Sequence, residues 1–67
     1  MKEQTAFKDL TGRLITYGDV LSTDEAGWNA IVVKSTDGPV LIDLRGGFSL
    51  EPSWSKCKIL FNILDSL

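Results

Sequence analysis

Apolar and polar positions are most regularly ordered between Trp28 and Leu44. Trp28-Asn29-Ala30-Ile31-Val32-Val33-Lys34-Ser35 leads into Thr36-Asp37-Gly38, and Pro39-Val40-Leu41-Ile42-Asp43-Leu44 follows. Val and Ile are stiff at χ1 and suit a pleated surface. Asp-Gly supplies the backbone freedom that a tight turn needs. The pattern predicts a β-hairpin. Along its first strand, Ile31 and Val33 share one face, and Trp28, Ala30 and Val32 share the other. Both faces are apolar, so this strand is expected at the centre of a sheet. On the second strand Val40, Ile42 and Leu44 alternate with Leu41, Asp43 and Arg45, which leaves one face half polar. Pro39 lacks an N–H but stands where a strand starts, a tolerated position.

The segments before the hairpin are shorter. In residues 2–11, Ala6, Phe7 and Leu10 suit one face of a short helix ended by Gly12, or an irregular lead-in strand. Residues 13–21 are β-rich, and Gly18 predicts a bulge or sharp bend within them. Ser22-Thr23-Asp24-Glu25-Ala26-Gly27 reads as a polar connection, with room for one capped helical turn.

After the hairpin, Arg45-Gly46-Gly47 reads as a turn and Phe48-Ser49-Leu50 as a short strand. Glu51-Pro52-Ser53 breaks the pattern. Trp54 to Leu67 fits two periods. As a helix, Trp54, Cys57, Ile59, Leu60, Phe61, Ile63, Leu64 and Leu67 fall on one broad arc, and only Lys56 sits badly. As a strand, Cys57, Ile59, Phe61 and Ile63 alternate with Lys56, Lys58, Leu60 and Asn62. The helix is the expectation adopted. The fold class is therefore a β-rich α+β domain over residues 1–67: a small antiparallel meander closed by a C-terminal helical segment. If that segment is a strand, the alternative is an all-β, SH3-like five-stranded barrel, similar to small barrels in strand number and spacing alone.

Composition narrows the function classes. With 67 residues the chain is one small domain, and a domain of this size buries only about 60% of its unfolded surface. One Cys and no His leave no internal disulfide and no soft metal site. Extra stability is expected from tight packing or self-association, such as a homodimer. The net charge of −2 gives no bulk attraction to nucleic acid or anionic membrane. No apolar run is long enough to span a bilayer. The initial Met, the lack of a targeting segment and the lone Cys fit a complete small reading frame in a reducing cytoplasm.

Catalysis has little support, because the commonest general base is absent. Cys57, flanked by Lys56 and Lys58, reads as a core residue rather than a nucleophile. Asp19, Asp24, Glu25, Asp37 and Asp43 lack the spacing of a calcium loop, so no metal and no cofactor are expected. Asp37 reads as a turn residue and Asp43 as the polar face of a strand.

Aromatic residues are the stronger signal. Trp28 and Trp54 each stand at an element end, where binding residues tend to lie. The first functional expectation is a non-enzymatic interaction module that binds a protein partner or itself. Its surface would hold Tyr17, Trp28, Phe48 and Trp54, rimmed by Asp24 and Glu25. The alternative is a nucleic-acid-binding small barrel, with Arg13, Lys34, Arg45, Lys56 and Lys58 gathered into one basic patch. Arg45-Gly46-Gly47-Phe48 resembles segments that bind single strands by charge and stacking.

Overall fold

A computed structural model describes residues 3–23, 29–47, 49–50 and 53–66. The strands are β1 (Gln4–Lys8), β2 (Leu14–Thr16), β3 (Asp19–Ser22), β4 (Asn29–Ser35), β5 (Gly38–Asp43), β6 (Ser49–Leu50) and β7 (Lys58–Asn62). Short 3-10 helices cover Trp54–Lys56 and Ile63–Ser66. β1 and β2 form one antiparallel sheet, and the other five strands form a second in the order β6-β5-β4-β3-β7.

The predicted hairpin is β4–β5, in register from Ala30↔Asp43 to Ser35↔Gly38. Gly38 takes the positive φ of +112°, while Thr36 and Asp37 stay at negative φ. The glycine therefore re-enters the strand after the turn rather than forming it. β4 is central, as its two apolar faces predict. Ala30 and Val32 are fully buried, and Ile31 and Val33 are half-buried behind them.

On β5 the facing differs from expectation. Leu41 and Asp43 point inward, and Val40 and Ile42 are only half-buried. Asp43 is 3% exposed because it organises the next turn rather than a solvated face. Its Oδ1 accepts the Arg45 N–H at 3.0 Å, and its carbonyl accepts the Gly47 N–H at 2.8 Å.

Residues 4–8 are a strand, not a helix. Thr5 is buried and Ala6, Phe7 and Leu10 are exposed, so the face expected to be buried in a helix is not the one that turns inward. The Thr5 hydroxyl donates to the Ile15 carbonyl at 2.8 Å and accepts the Phe7 N–H at 3.1 Å, which accounts for the irregular β1–β2 register. The bend predicted at Gly18 is a turn that passes the chain from one sheet to the other.

The C-terminal helix is not formed. β7 instead pairs with β3, matching Ser22↔Lys58 and Leu21↔Ile59, then Val20↔Phe61 after a register shift. The two-residue period prevails as far as Ile59: Cys57 and Ile59 are buried, and Lys58 and Leu60 are exposed. Leu60 is the extra residue at the bulge, and beyond it the phase reverses, with Phe61 exposed and Asn62 buried. A helix here would leave this edge of β3 without partners, at a cost for each buried unpaired backbone group.

The core consists of Ile15, Leu21, Ala30, Val32, Leu41, Cys57 and Ile59, with Tyr17 and Trp54 packed against it. The five-stranded sheet ends in β6 and β7, which do not pair with each other, so the sheets do not close into a barrel.

Candidate functional site

Two buried aspartates tie the sheets together along β2 and β7. At one end, Asp9 sits in the turn after β1. Its Oδ1 accepts the Thr11 N–H, the Thr11 hydroxyl and the Arg13 N–H at 2.9, 2.7 and 3.0 Å. Its Oδ2 accepts the Ile59 N–H at 3.1 Å. Burial pushes the Asp9 carboxyl up. The Thr11 hydroxyl and the three backbone donors outweigh that and hold its pKa down at about 2. At the other end, Asp19 accepts the Thr16 N–H at 2.8 Å and the Asn62 amide at 2.8 Å. Between these ties a cavity of about 160 Å³ opens, lined by Arg13, Leu14, Thr16 and Asp19 on one wall and by Leu60, Phe61, Asn62 and Asp65 on the other.

Four basic residues lie in the segments that meet at the Asp9 end. Lys8 precedes Asp9 in the chain, Arg13 is bonded to it, and Lys58 precedes Ile59, which is also bonded to it. Lys56 precedes Cys57, whose carbonyl accepts the Leu10 N–H at 2.9 Å. All four basic side chains are exposed. The same corner holds a ring pair: Phe7 and Trp54 stack with centroids 5.3 Å apart and planes 22° from parallel, a favourable offset geometry. Trp54 is half-buried against the core, while Phe7 remains 41% exposed.

The basic patch expected from sequence is only partly assembled. The chain segments that carry Arg13, Lys56 and Lys58 meet at the Asp9 turn through backbone hydrogen bonds. Arg45 follows β5 at the same end of the sheet but lies three strands from Lys58, roughly 14 Å by strand spacing. Lys34 does not join them. It sits at the far end of β4, with Nζ 2.7 Å from Glu3 Oε2 and 5.9 Å from the Tyr17 ring centroid. The hydrogen bond and charge of Glu3 raise the Lys34 ammonium pKa.

The aromatic patch is also divided. Tyr17 lies by the Gln4 end of β1, where its N–H donates to the Glu3 carbonyl, and Trp54 lies by the Phe7 end. Asp24, Glu25, Trp28 and Phe48 fall outside the described residues. Sequence reasoning missed Phe7 and Lys8 as site residues. Only the fold brings Trp54 to Phe7, and no local pattern marks that pairing.

Cys57 is buried, and its thiol donates to the Ser53 carbonyl at 3.4 Å. Among the described residues no group of three or more His, Cys, Asp or Glu side chains could hold a metal ion. No described helix is long and apolar enough to cross a membrane. No protein-family profile, curated protein or solved structure matches the chain.

Proposed function

We propose that this chain is a small non-enzymatic interaction module that binds a protein partner through the corner around Phe7 and Trp54. The observation that carries this reading is the stacked pair itself, with the exposed Phe7 ring held against a tryptophan rooted in the core. A ring already fixed in place loses little entropy on binding. Lys8 follows Phe7 in β1 and Lys56 closes the 3-10 helix that Trp54 opens, while the backbones of Arg13 and Ile59, next to Lys58, are bonded to Asp9 two residues beyond Phe7. The partner this surface suits is an acidic segment with an apolar or aromatic anchor. Of the contact surface expected from sequence this reading keeps Trp54 and adds Phe7, while Asp24, Glu25, Trp28 and Phe48 lie outside the described residues.

A second reading draws on the same corner. A base could stack on Phe7 while the four cations meet phosphates, as in sequence-tolerant single-strand binders. The overall charge of −2 opposes it at long range. The strand order, with β7 returning to the first strand of the β3–β6 meander, fits the SH3-like arrangement short of closure. A buried lone thiol suits a reducing compartment such as the cytoplasm.

The test is capture from a lysate of the producing cells by the immobilised chain, with and without nuclease, beside a Phe7→Ala variant. The expected result is a protein that survives nuclease treatment and is lost with Phe7→Ala. Equal capture by the folded variant refutes the site. Binding abolished by nuclease selects the nucleic-acid reading.

A further inference from the structure

We infer that Asp37 is a site of spontaneous backbone isomerisation, where aspartate converts slowly to isoaspartate through a cyclic imide formed with Gly38. The inference does not depend on the Phe7–Trp54 corner. Thr36 and Asp37 form the turn between β4 and β5, and both are exposed. The Asp37 N–H donates to Ser35 Oγ at 3.3 Å, and that hydroxyl donates to the Gly38 carbonyl at 2.9 Å. Neither bond engages the Asp37 carboxylate, and no hydrogen bond or ion pair holds it among the described residues. The residue that follows is glycine, so no side chain shields the nitrogen that must attack. A Cβ on Gly38 would meet nothing within 4 Å, so the turn stands clear of the rest of the protein. Among the described aspartates Asp37 alone combines these features. Asp9, Asp19 and Asp43 are buried, their carboxylates accept backbone N–H groups, and Leu10, Val20 and Leu44 follow them. Asp65 is exposed, but it has an interaction of its own and precedes Ser66.

The Gly38 nitrogen attacks Cγ of the neutral Asp37 carboxyl and gives up its proton, and the carboxyl hydroxyl leaves with that proton as water. Water then adds to either carbonyl of the imide. Breaking the new bond between nitrogen and Cγ restores aspartate. Breaking the original peptide bond instead leaves the chain running through Cβ and Cγ, with the former backbone carbonyl now a free carboxylate. A water leaves and a water returns, so no co-reactant is needed. The Gly38 nitrogen must first swing out of the Ser35↔Gly38 pair, and the tip of a hairpin opens more readily than the core strands behind it. Isoaspartate adds a methylene carbon to the backbone of a turn whose ends are held in register by Ser35↔Gly38 and Lys34↔Pro39. This end of the β4–β5 hairpin therefore loses its closure once the change has occurred.

The test is storage of the full chain, warm and for weeks, in mild acid above the range in which Asp9 titrates. Peptide mapping with electron-based fragmentation then tells isoaspartate from aspartate, and methyl transfer by an isoaspartate-specific methyltransferase counts it. The expected result is isoaspartate at position 37 well ahead of every other aspartate, with a species one water lighter at the same site. Asp37→Asn should convert several-fold faster at neutral pH, because ammonia leaves through the same imide. Asp37→Glu should abolish the change there, since the longer side chain closes the ring poorly. The isoaspartyl form, separated by ion exchange, should unfold at a lower denaturant concentration than the parent, and equal midpoints overturn the claim that the turn loses its closure. A parent chain in which position 37 stays aspartate, or isomerises no faster than Asp65, overturns the site, as does an Asp37→Asn chain that keeps its amide.

Discussion

Asp9 Oδ2 accepts the backbone N–H of Ile59, fifty positions further along the chain. The same turn gives the Leu10 N–H to the Cys57 carbonyl. The start of β7 is thus bound to β3 on one side and sealed by a carboxylate on the other. An open strand edge is a template for unwanted pairing, and a side chain placed on its N–H removes one site for it.

Acid should weaken this seal in a defined window. The folded pKa of Asp9, about 2, lies below its ordinary 3.8. Its carboxylate therefore contributes stability that is fully present above about pH 4 and is lost as pH falls through about 2, to the extent of about 2 kcal/mol. Denaturant midpoints measured from pH 5 to pH 2 should fall for the parent chain. Asp9→Asn should begin about 2 kcal/mol lower and lose less across the same window. Parallel curves for the two chains would show that Asp9 does not carry the effect.

The hairpin was legible because everything that defines it is local. The alternation from Ala30 to Val33 and the Thr36-Asp37 turn, with Gly38 just after it, need no distant partner. The facing of β5 was not legible, because Asp43 turns inward to accept the Arg45 N–H, and a carboxylate that serves a turn looks in sequence like one that faces water. The C-terminal segment carried both periods at once. What decides between them is the open edge of β3 and the Asp9 carboxylate, both remote in sequence. Trp54 could be singled out by its residue type. Its pairing with Phe7 could not, because it arises only when the segment before β7 packs beside β1.

Two glycines with similar backbones should respond differently to a methyl group. Gly12 and Gly18 have φ of +87° and +92°. A Cβ on Gly12 meets nothing within 4 Å, whereas one on Gly18 comes within 3.2 Å of Leu64 Cγ and 3.3 Å of Asn62 Oδ1. Gly12→Ala carries the left-handed penalty alone, about 1–2 kcal/mol. Gly18→Ala adds crowding against Asn62 and should cost at least about 1 kcal/mol more. Thermal or denaturant unfolding of the two variants supplies the comparison, and equal losses would mean that Leu64 and Asn62 yield freely.

Cys57 is 3% exposed, and its thiol donates to the Ser53 carbonyl. A thiol so placed reacts only when the structure opens. Labelling by an aromatic disulfide reagent should be slow on the folded chain and fast in denaturant. Its rate in the folded state should rise in Asp9→Asn, which loosens the turn bonded to the Cys57 carbonyl. Rapid labelling of the native chain would place Cys57 at the surface and reopen its reading as a nucleophile.

Asn62 should be the most demanding polar position at the far end of the seam. Its amide donates to the Tyr17 carbonyl at 3.1 Å and to Asp19 Oδ1 at 2.8 Å. Its Oδ1 accepts the Leu64 N–H at 2.8 Å. Asn62→Ala leaves these buried groups without that partner, at a cost of about 1–3 kcal/mol. Asn62→Asp is nearly isosteric but turns a donor into an acceptor against Asp19, so it should cost more than the alanine despite filling the space. At neutral pH the denaturant midpoints should rank parent, then Ala, then Asp, and amide exchange at Leu64 should be fastest in Asn62→Ala. If Asp proves the milder change, the Asn62–Asp19 bond contributes less than the packing around it, and the seam is held chiefly from the Asp9 end.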